Sequence, residues 1–291
     1  MRLTRDVLGA VVLVLAAVGA ASAANISRSS AASQRGNEAK ATERLSKSGS
    51  VTFAPGKLTE RVTLPANPAL ELSHGYELMQ DLDISTAATE GTIADSYGIS
   101  QKPFSSYEAV VDATSGDIGP VQVDLIDTDG TTVLASGQAI GTGFSRSLRF
   151  MNNTATQIDT QTVRVQSGDC STDCGPDDVY FIRGYETTYS VPRFNNSGTQ
   201  ITVLLMQNPT NYPITGTVYF WNTAGTQVAN SPFTLTGKQV QVLNTSTVAP
   251  GVAGALTIVN DGRYGDLSAK TVALEPATGF SFDSPAIPRI R

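Results

Sequence analysis

The feature that most restricts what this chain can fold into is a period-two alternation of side chains, repeated along most of its length. In SSYEAVVDA (residues 105–113), Tyr107, Ala109 and Val111 share one face, with Glu108 and Asp112 on the other. In VQVDLI, Val121, Val123 and Leu125 point one way, and Gln122 and Asp124 the other. SLRFMN and QTVRVQ repeat the scheme, with Arg149 and Arg164 opposed to Leu148/Phe150 and Val163/Val165. Successive side chains of a strand leave opposite faces, so this pattern marks strands with one apolar face. TQITVLLMQN, GTVYFWN, GTQVAN, KQVQVLNT, GALTIVND and KTVALE continue it. The breaks NPTNYP, NTAG, LTGK, VAPGVAG and NDGRYG carry the Gly, Pro, Asn and Asp of turns. Asp127-Thr128-Asp129-Gly130, between VQVDLI and TTVLAS, is a hairpin signal, because glycine takes the positive φ such a turn needs.

Short strands at this spacing predict an all-β protein of two tandem antiparallel β-sandwiches, immunoglobulin-like or jelly-roll-like. The first is expected at 62–168 and the second at 178–283, with a junction at 169–177 and a tail at 284–291. Composition agrees: Thr, Val, Gly, Ser and Asn are plentiful, and the Lys, Glu and Met that favour surface helices are sparse.

The N-terminus reads as an export signal over residues 1–23. Arg2 and Arg5 precede an apolar run from Val7 to Ala17, and Ala21-Ser22-Ala23 offers a small-x-small cleavage pattern. The run is short of the about 20 residues a bilayer span needs. The mature chain is expected to begin near Ala24 and to be extracellular, periplasmic or on the cell surface, with no membrane span after cleavage. Residues 24–61 are polar and Ser/Ala-rich, a composition too poor in large apolar groups to fold, so a disordered linker is expected. Up to Arg61 there are nine Lys/Arg against four Asp/Glu, and beyond it eleven against twenty-two. That acidic balance disfavours nucleic-acid binding.

The only two cysteines, Cys170 and Cys174, stand in GDCSTDCGPDD. The even count and the oxidising compartment predict a disulfide between them. Its loop is small, worth about 2 kcal/mol in the chain-entropy picture, so it would clip a turn rather than hold a domain. The other chemical candidates are few. His74 in LELSHGYEL is the sole histidine, so any Ser-His-Asp or Cys-His arrangement would have to use it, together with acids of the first region. No metal-ligand spacing surrounds it, and it reads as a polar loop or edge residue. Asp127 and Asp129 form a fragment of a calcium loop without its later acidic positions, which leaves calcium as the one cofactor to consider. Tyr219 and Trp221 fall on one strand face about 7 Å apart, two strand steps, a spacing suited to stacking on sugar rings. The alternative is that this face meets the core or the neighbouring domain.

Two resemblances rest on quoted residues. Asn208-Pro209, VYFW at 218–221, Ala224-Gly225, FTL at 233–235 and GALTIV at 254–259 follow the pattern of a β-sandwich repeat found in secreted and surface-layer-associated bacterial proteins. That resemblance implies an extracellular modular role without catalytic residues. Asp95-Ser96-Tyr97, LIDTDGTTVLAS and TQTVRVQSG resemble the bacterial pre-peptidase C-terminal sandwich, although Asp159-Thr160-Gln161 stands where that family has Gly-x-Tyr. Such modules accompany secreted enzymes and are generally non-catalytic. The expectation is a secreted, non-catalytic surface or matrix module that binds a cell-surface polysaccharide or another exported protein. The alternatives are a carbohydrate-binding accessory protein and a hydrolase using His74.

Overall fold

Alternation becomes two sandwiches, each with its own core. The structure, a computed structural model, describes residues 70–81, 94–114, 121–137, 140–167 and 178–289. The expected export signal, the expected linker and the expected Cys170–Cys174 disulfide lie outside the described residues. The first sandwich contains β1 (Leu70–Glu71), β2 (Glu77–Asp81), β3 (Ala94–Gly98), β4 (Ser105–Ala113), β5 (Val121–Ile126), β6 (Val133–Ser136), β7 (Ser145–Asn152), β8 (Thr162–Ser167) and β9 (Val179–Glu186). They form one sheet in the order β1-β3-β8-β5-β6 and another in the order β2-β9-β4-β7. The second contains β10 (Tyr189–Asn195), β11 (Ile201–Gln207), β12 (Ile214–Asn222), β13 (Gln227–Leu235), β14 (Val240–Asn244), β15 (Ala253–Asn260), β16 (Ser268–Glu275), β17 (Phe280–Pro285) and β18 (Ile287–Pro288). Its sheets run β13-β12-β15-β10-β18 and β14-β11-β16-β17.

The inward positions of the alternation fill both cores. Val111, Val163, Val165, Tyr180 and Ile182 are fully buried in the first, and Val191, Leu204, Ile214, Phe220 and Leu235 in the second. Each such side chain stabilises the fold by about 1.5–3 kcal/mol relative to exposure. The Asp-Gly hairpin forms as expected between β5 and β6, with Gly130 at φ +74 and its N–H donating to the Asp127 carbonyl at 2.9 Å.

Three boundaries differ from the sequence expectation. β9 pairs with β4 and β2, so it belongs to the first sandwich, and segment 169–177 links two strands of that sandwich rather than the two domains. The chain crosses at Thr187-Thr188, which are 1 % and 0 % exposed. The expected tail at 284–291 holds the end of β17 and all of β18, and β18 pairs with β10. Glu108 and Asp124, outward by alternation, are 3 % and 0 % exposed. Tyr264 of the second sandwich donates its N–H to Glu108 at 2.8 Å, and Gln122, Ser136, Arg164 and Gln166 surround Asp124. Both sandwiches lie within one compact unit, Leu64–Arg291.

The two halves share one corner. At the end of β7, Asn152 donates its side-chain amide to the carbonyls of Gln101, Lys102 and Thr156 at 3.2, 3.0 and 2.8 Å. Its oxygen accepts from the N–H and hydroxyl of Thr154. After β11, Asn208 donates to Leu235, Thr236 and Tyr212 at 3.0, 3.2 and 2.7 Å, and accepts from the N–H and hydroxyl of Thr210. In each case the docked segment has a non-glycine residue at positive φ, Phe104 (φ 49) or Lys238 (φ 66). The N–H of each donates to the threonine carbonyl of its corner at 3.1 Å. In the first sandwich the docked segment precedes the corner in sequence, and in the second it follows. Both asparagines are buried, so removing either amide leaves buried carbonyls unsatisfied. Asn152→Ala and Asn208→Ala should each lower stability by about 1–3 kcal/mol in urea unfolding. Asn→Asp at either site should be no better than Ala, because an ionised carboxylate cannot donate.

Candidate binding recess at His74

Local backbone geometry places His74. β1 runs parallel to β3, and the Leu72 N–H continues that ladder to the Gly98 carbonyl at 2.9 Å. The chain then crosses to the other sheet. His74 forms a parallel bridge to Gly184 of β9, and the Gly75 N–H donates to the Gly184 carbonyl at 2.8 Å. Gly75, at φ +77, turns the chain into β2 and presents Tyr76, which is 71 % exposed. The crossing needs a bare backbone beneath it: a Cβ on Gly184 would lie 3.0 Å from the Leu72 Cβ.

His74 is held from three sides. Its Nδ1 accepts the Glu186 N–H at 2.9 Å. Its ring stands edge-on to Tyr185 and Tyr264, with centroids 5.7 and 5.1 Å away. Those two tyrosines stack on each other at 5.2 Å. The bond to Nδ1 assigns the imidazole proton to Nε2. Burial holds the His74 pKa below its ordinary 6.5; the Glu186 charge opposes this and Lys102 adds to it.

Beside His74 lies a recess of about 240 Å³. Leu72, Ile99 and Gly184 line it, and polar groups come from Ser73, Ser100, Tyr107 and Glu186, with Glu71 and Tyr76 also on its wall. The Glu186 side chain is 4 % exposed and bonded to two cations: Lys102 Nζ at 2.9 Å and Arg289 Nε. Arg289 also donates to Ser105. Tyr107 accepts the Lys102 N–H at 2.7 Å, and burial pushes its hydroxyl above the ordinary value of 10, so it stays protonated.

The other predicted residues do not join this recess. Tyr219 and Trp221 do lie on the outer face of β12, but that face meets the first sandwich. Phe104 packs on both rings at 4.6 and 5.1 Å, and Tyr219 is 5 % exposed with its hydroxyl on Asn153. The Trp221 Nε1 donates to Thr257 at 3.0 Å. An open two-ring platform is therefore replaced by an inter-sandwich contact. Asp127 and Asp129 sit in the β5–β6 turn. Asp129 accepts from the Thr131 and Thr132 N–H groups and the Thr132 hydroxyl, and those bonds, led by Thr132, hold its pKa at about 2. Its oxygens serve the turn. Among the described residues no group of three His, Cys, Asp or Glu could hold a metal ion. Of the first-region acids near His74 in sequence, Asp83 lies outside the described residues; the acid that acts on His74 here is Glu186, from β9. Tyr76, Tyr185, Tyr264 and Arg289 had no sequence signal, since nothing local marks them as neighbours of His74.

No family model matches the chain, and no curated protein matches it. Among solved structures it is similar to a glycosyl hydrolase family 2 member from Bacteroides cellulosilyticus, at 9 % identity over 72 % of this chain and 27 % of that one, with a TM-score of 0.17. A β-glucuronidase of Bacteroides uniformis is similar at 10 % identity over 65 % of this chain and 26 % of that one, with a TM-score of 0.18. A protein of the IBDV viral particle is similar at 13 % identity over 77 % of each chain, also at 0.18. The chain spans about a quarter of the length of the two glycosidase structures. Similarity at this level leaves the recess to be read from its own residues. No helix among the described residues is long and apolar enough to cross a membrane.

Two outcomes are expected. The His74 contact uses a neutral imidazole, so its stabilisation is present above pH 6.5 and is lost as pH falls through the lowered pKa. The ring signals of this sole histidine should titrate below 6.5, and Gly184→Val, by displacing the 72–75 crossing, should move that midpoint back toward 6.5. The Asp129 carboxyl carbon should stay ionised down to about pH 2, and added calcium should leave its chemical shift unmoved.

Proposed function

We propose that this chain is an exported, non-catalytic module of the bacterial surface or extracellular matrix that acts by binding or scaffolding. One observation carries the reading. The only histidine has its Nδ1 lone pair on a backbone N–H and its proton on Nε2, so taking a proton from a substrate would cost that bond and the ring offers no free base nitrogen. The carboxylate beside it, Glu186, is bonded to two cations. A hydrolytic pair would need one of these groups free. The acidic balance beyond Arg61 and the Cys170–Cys174 pair fit an exported setting. The partner class is a cell-surface polysaccharide or another exported protein, and the recess at His74 supports the carbohydrate-binding alternative.

Protein recovered from the culture medium or periplasm should begin at or near Ala24 and contain no free thiol by alkylation and mass spectrometry. A panel of chromogenic glycoside, ester and peptide substrates should give no turnover above blank. A hydrolase activity that disappears in His74→Asn would overturn the reading.

A further inference from the structure

We propose that the recess at His74 receives a single neutral sugar residue, as a free monosaccharide or as the terminal unit of a glycan. The proposal rests on the binding-module reading and supplies its ligand class. Three observations point to it. The volume, about 240 Å³, is below that of pockets for drug-sized ligands and suits one small ring. The polar groups on the wall are of hydroxyl-recognising kinds: the Ser73 hydroxyl, the protonated Tyr107 hydroxyl, the Glu186 carboxylate as acceptor and His74 with its proton on Nε2, while the Ser100 hydroxyl is already held by Asp159 and Gln157. Leu72, Ile99 and the bare Gly184 backbone offer the apolar surface that the C–H faces of a sugar require.

Charge excludes the nearest competitors. The deep carboxylate, Glu186, is already neutralised by Lys102 and Arg289, so a ligand cation gains little from it. Glu186 and the exposed Glu71 together balance Lys102 and Arg289, so an anion finds no net positive charge to gain from either. A neutral, hydroxyl-rich ring needs no such charge. Tyr76, solvent-exposed on the wall, offers an aromatic face to such a ring, as tyrosines with one polar end commonly do. Binding would use the neutral His74, because protonating Nδ1 breaks its bond to the Glu186 N–H.

The single histidine makes the test local. Its Cε1–H resonance, followed by carbon-13 NMR in the chain beginning at Ala24, reports on this recess alone. The probes are glucose, galactose, mannose and N-acetylglucosamine, their methyl glycosides, and glucuronate. The expected result is a saturable shift of the His74 signal by at least one neutral sugar, weakened about three- to tenfold in Tyr76→Ala. Tyr76 is exposed, so that variant should fold, and Trp221→Ala should leave the affinity unchanged. Binding of a methyl glycoside supports the terminal-unit form, and binding of the free sugar alone supports the monosaccharide form. The proposal is overturned if no sugar moves the signal, if glucuronate alone does, or if Tyr76→Ala leaves a sugar-induced shift untouched. Those failures leave the module reading standing. Turnover of an aryl glycoside, by contrast, would remove the module reading while sugar binding survives.

Discussion

Glu186, Thr187 and Thr188 carry the chain from one sandwich to the other while almost fully buried, so their backbone groups must be answered by protein, although the buried Thr187 hydroxyl itself finds no partner among the described residues. The Thr187 N–H reaches the Ser106 carbonyl at 2.8 Å, and its own carbonyl accepts from Asn260 at 3.0 Å. The Thr188 carbonyl accepts the Arg289 N–H at 2.8 Å, and its hydroxyl accepts the Ser106 N–H at 2.9 Å. A buried backbone group left unpaired costs about 1–3 kcal/mol, so the crossing is stable only with β4, β15 and the C-terminal segment all in place. The recess depends on the same seam, because Glu186 is at once part of the crossing, a wall of the recess and the anchor for Arg289.

The seam also explains a strained backbone. Phe104 sits at φ 49, a conformation that bulky residues adopt at a cost of about 1–3 kcal/mol. The strain is offset by the Asn152 corner on one side and by packing on Tyr219 and Trp221 on the other. Lys238 occupies the matching place in the second sandwich, where its N–H meets the Thr210 carbonyl of the Asn208 corner. Around the seam, Arg149 donates to the Asp261 carbonyl at 2.6 Å and lies over the Tyr212 ring. The two sandwiches therefore meet through specific polar and aromatic contacts rather than through a flexible joint.

What was legible in the sequence follows from what alternation encodes. Period two identifies strands and their apolar faces, so the β4, β5 and β12 segments, the Asp-Gly hairpin and both cores could be read directly. It does not say which sheet a strand joins, so β9 was expected in the second domain although it pairs with β4. Nor does it say what stands opposite an outward residue. Tyr219 and Glu108 are outward by pattern and buried in fact, because Phe104 and Tyr264 come from the other sandwich. His74 was visible as the sole histidine, but its environment is built from Tyr185, Glu186 and Tyr264, which lie far along the chain. No local rule connects residues at such separations.

Trp221 is the only tryptophan in the chain, and it stands at the seam rather than in either core. Indole emission responds to what touches the ring, and here that is Phe104 and Thr257, one from each sandwich. Intrinsic fluorescence is thus a strain gauge on the waist of the molecule. It responds as soon as the halves part and Phe104 leaves the ring, even with every strand intact.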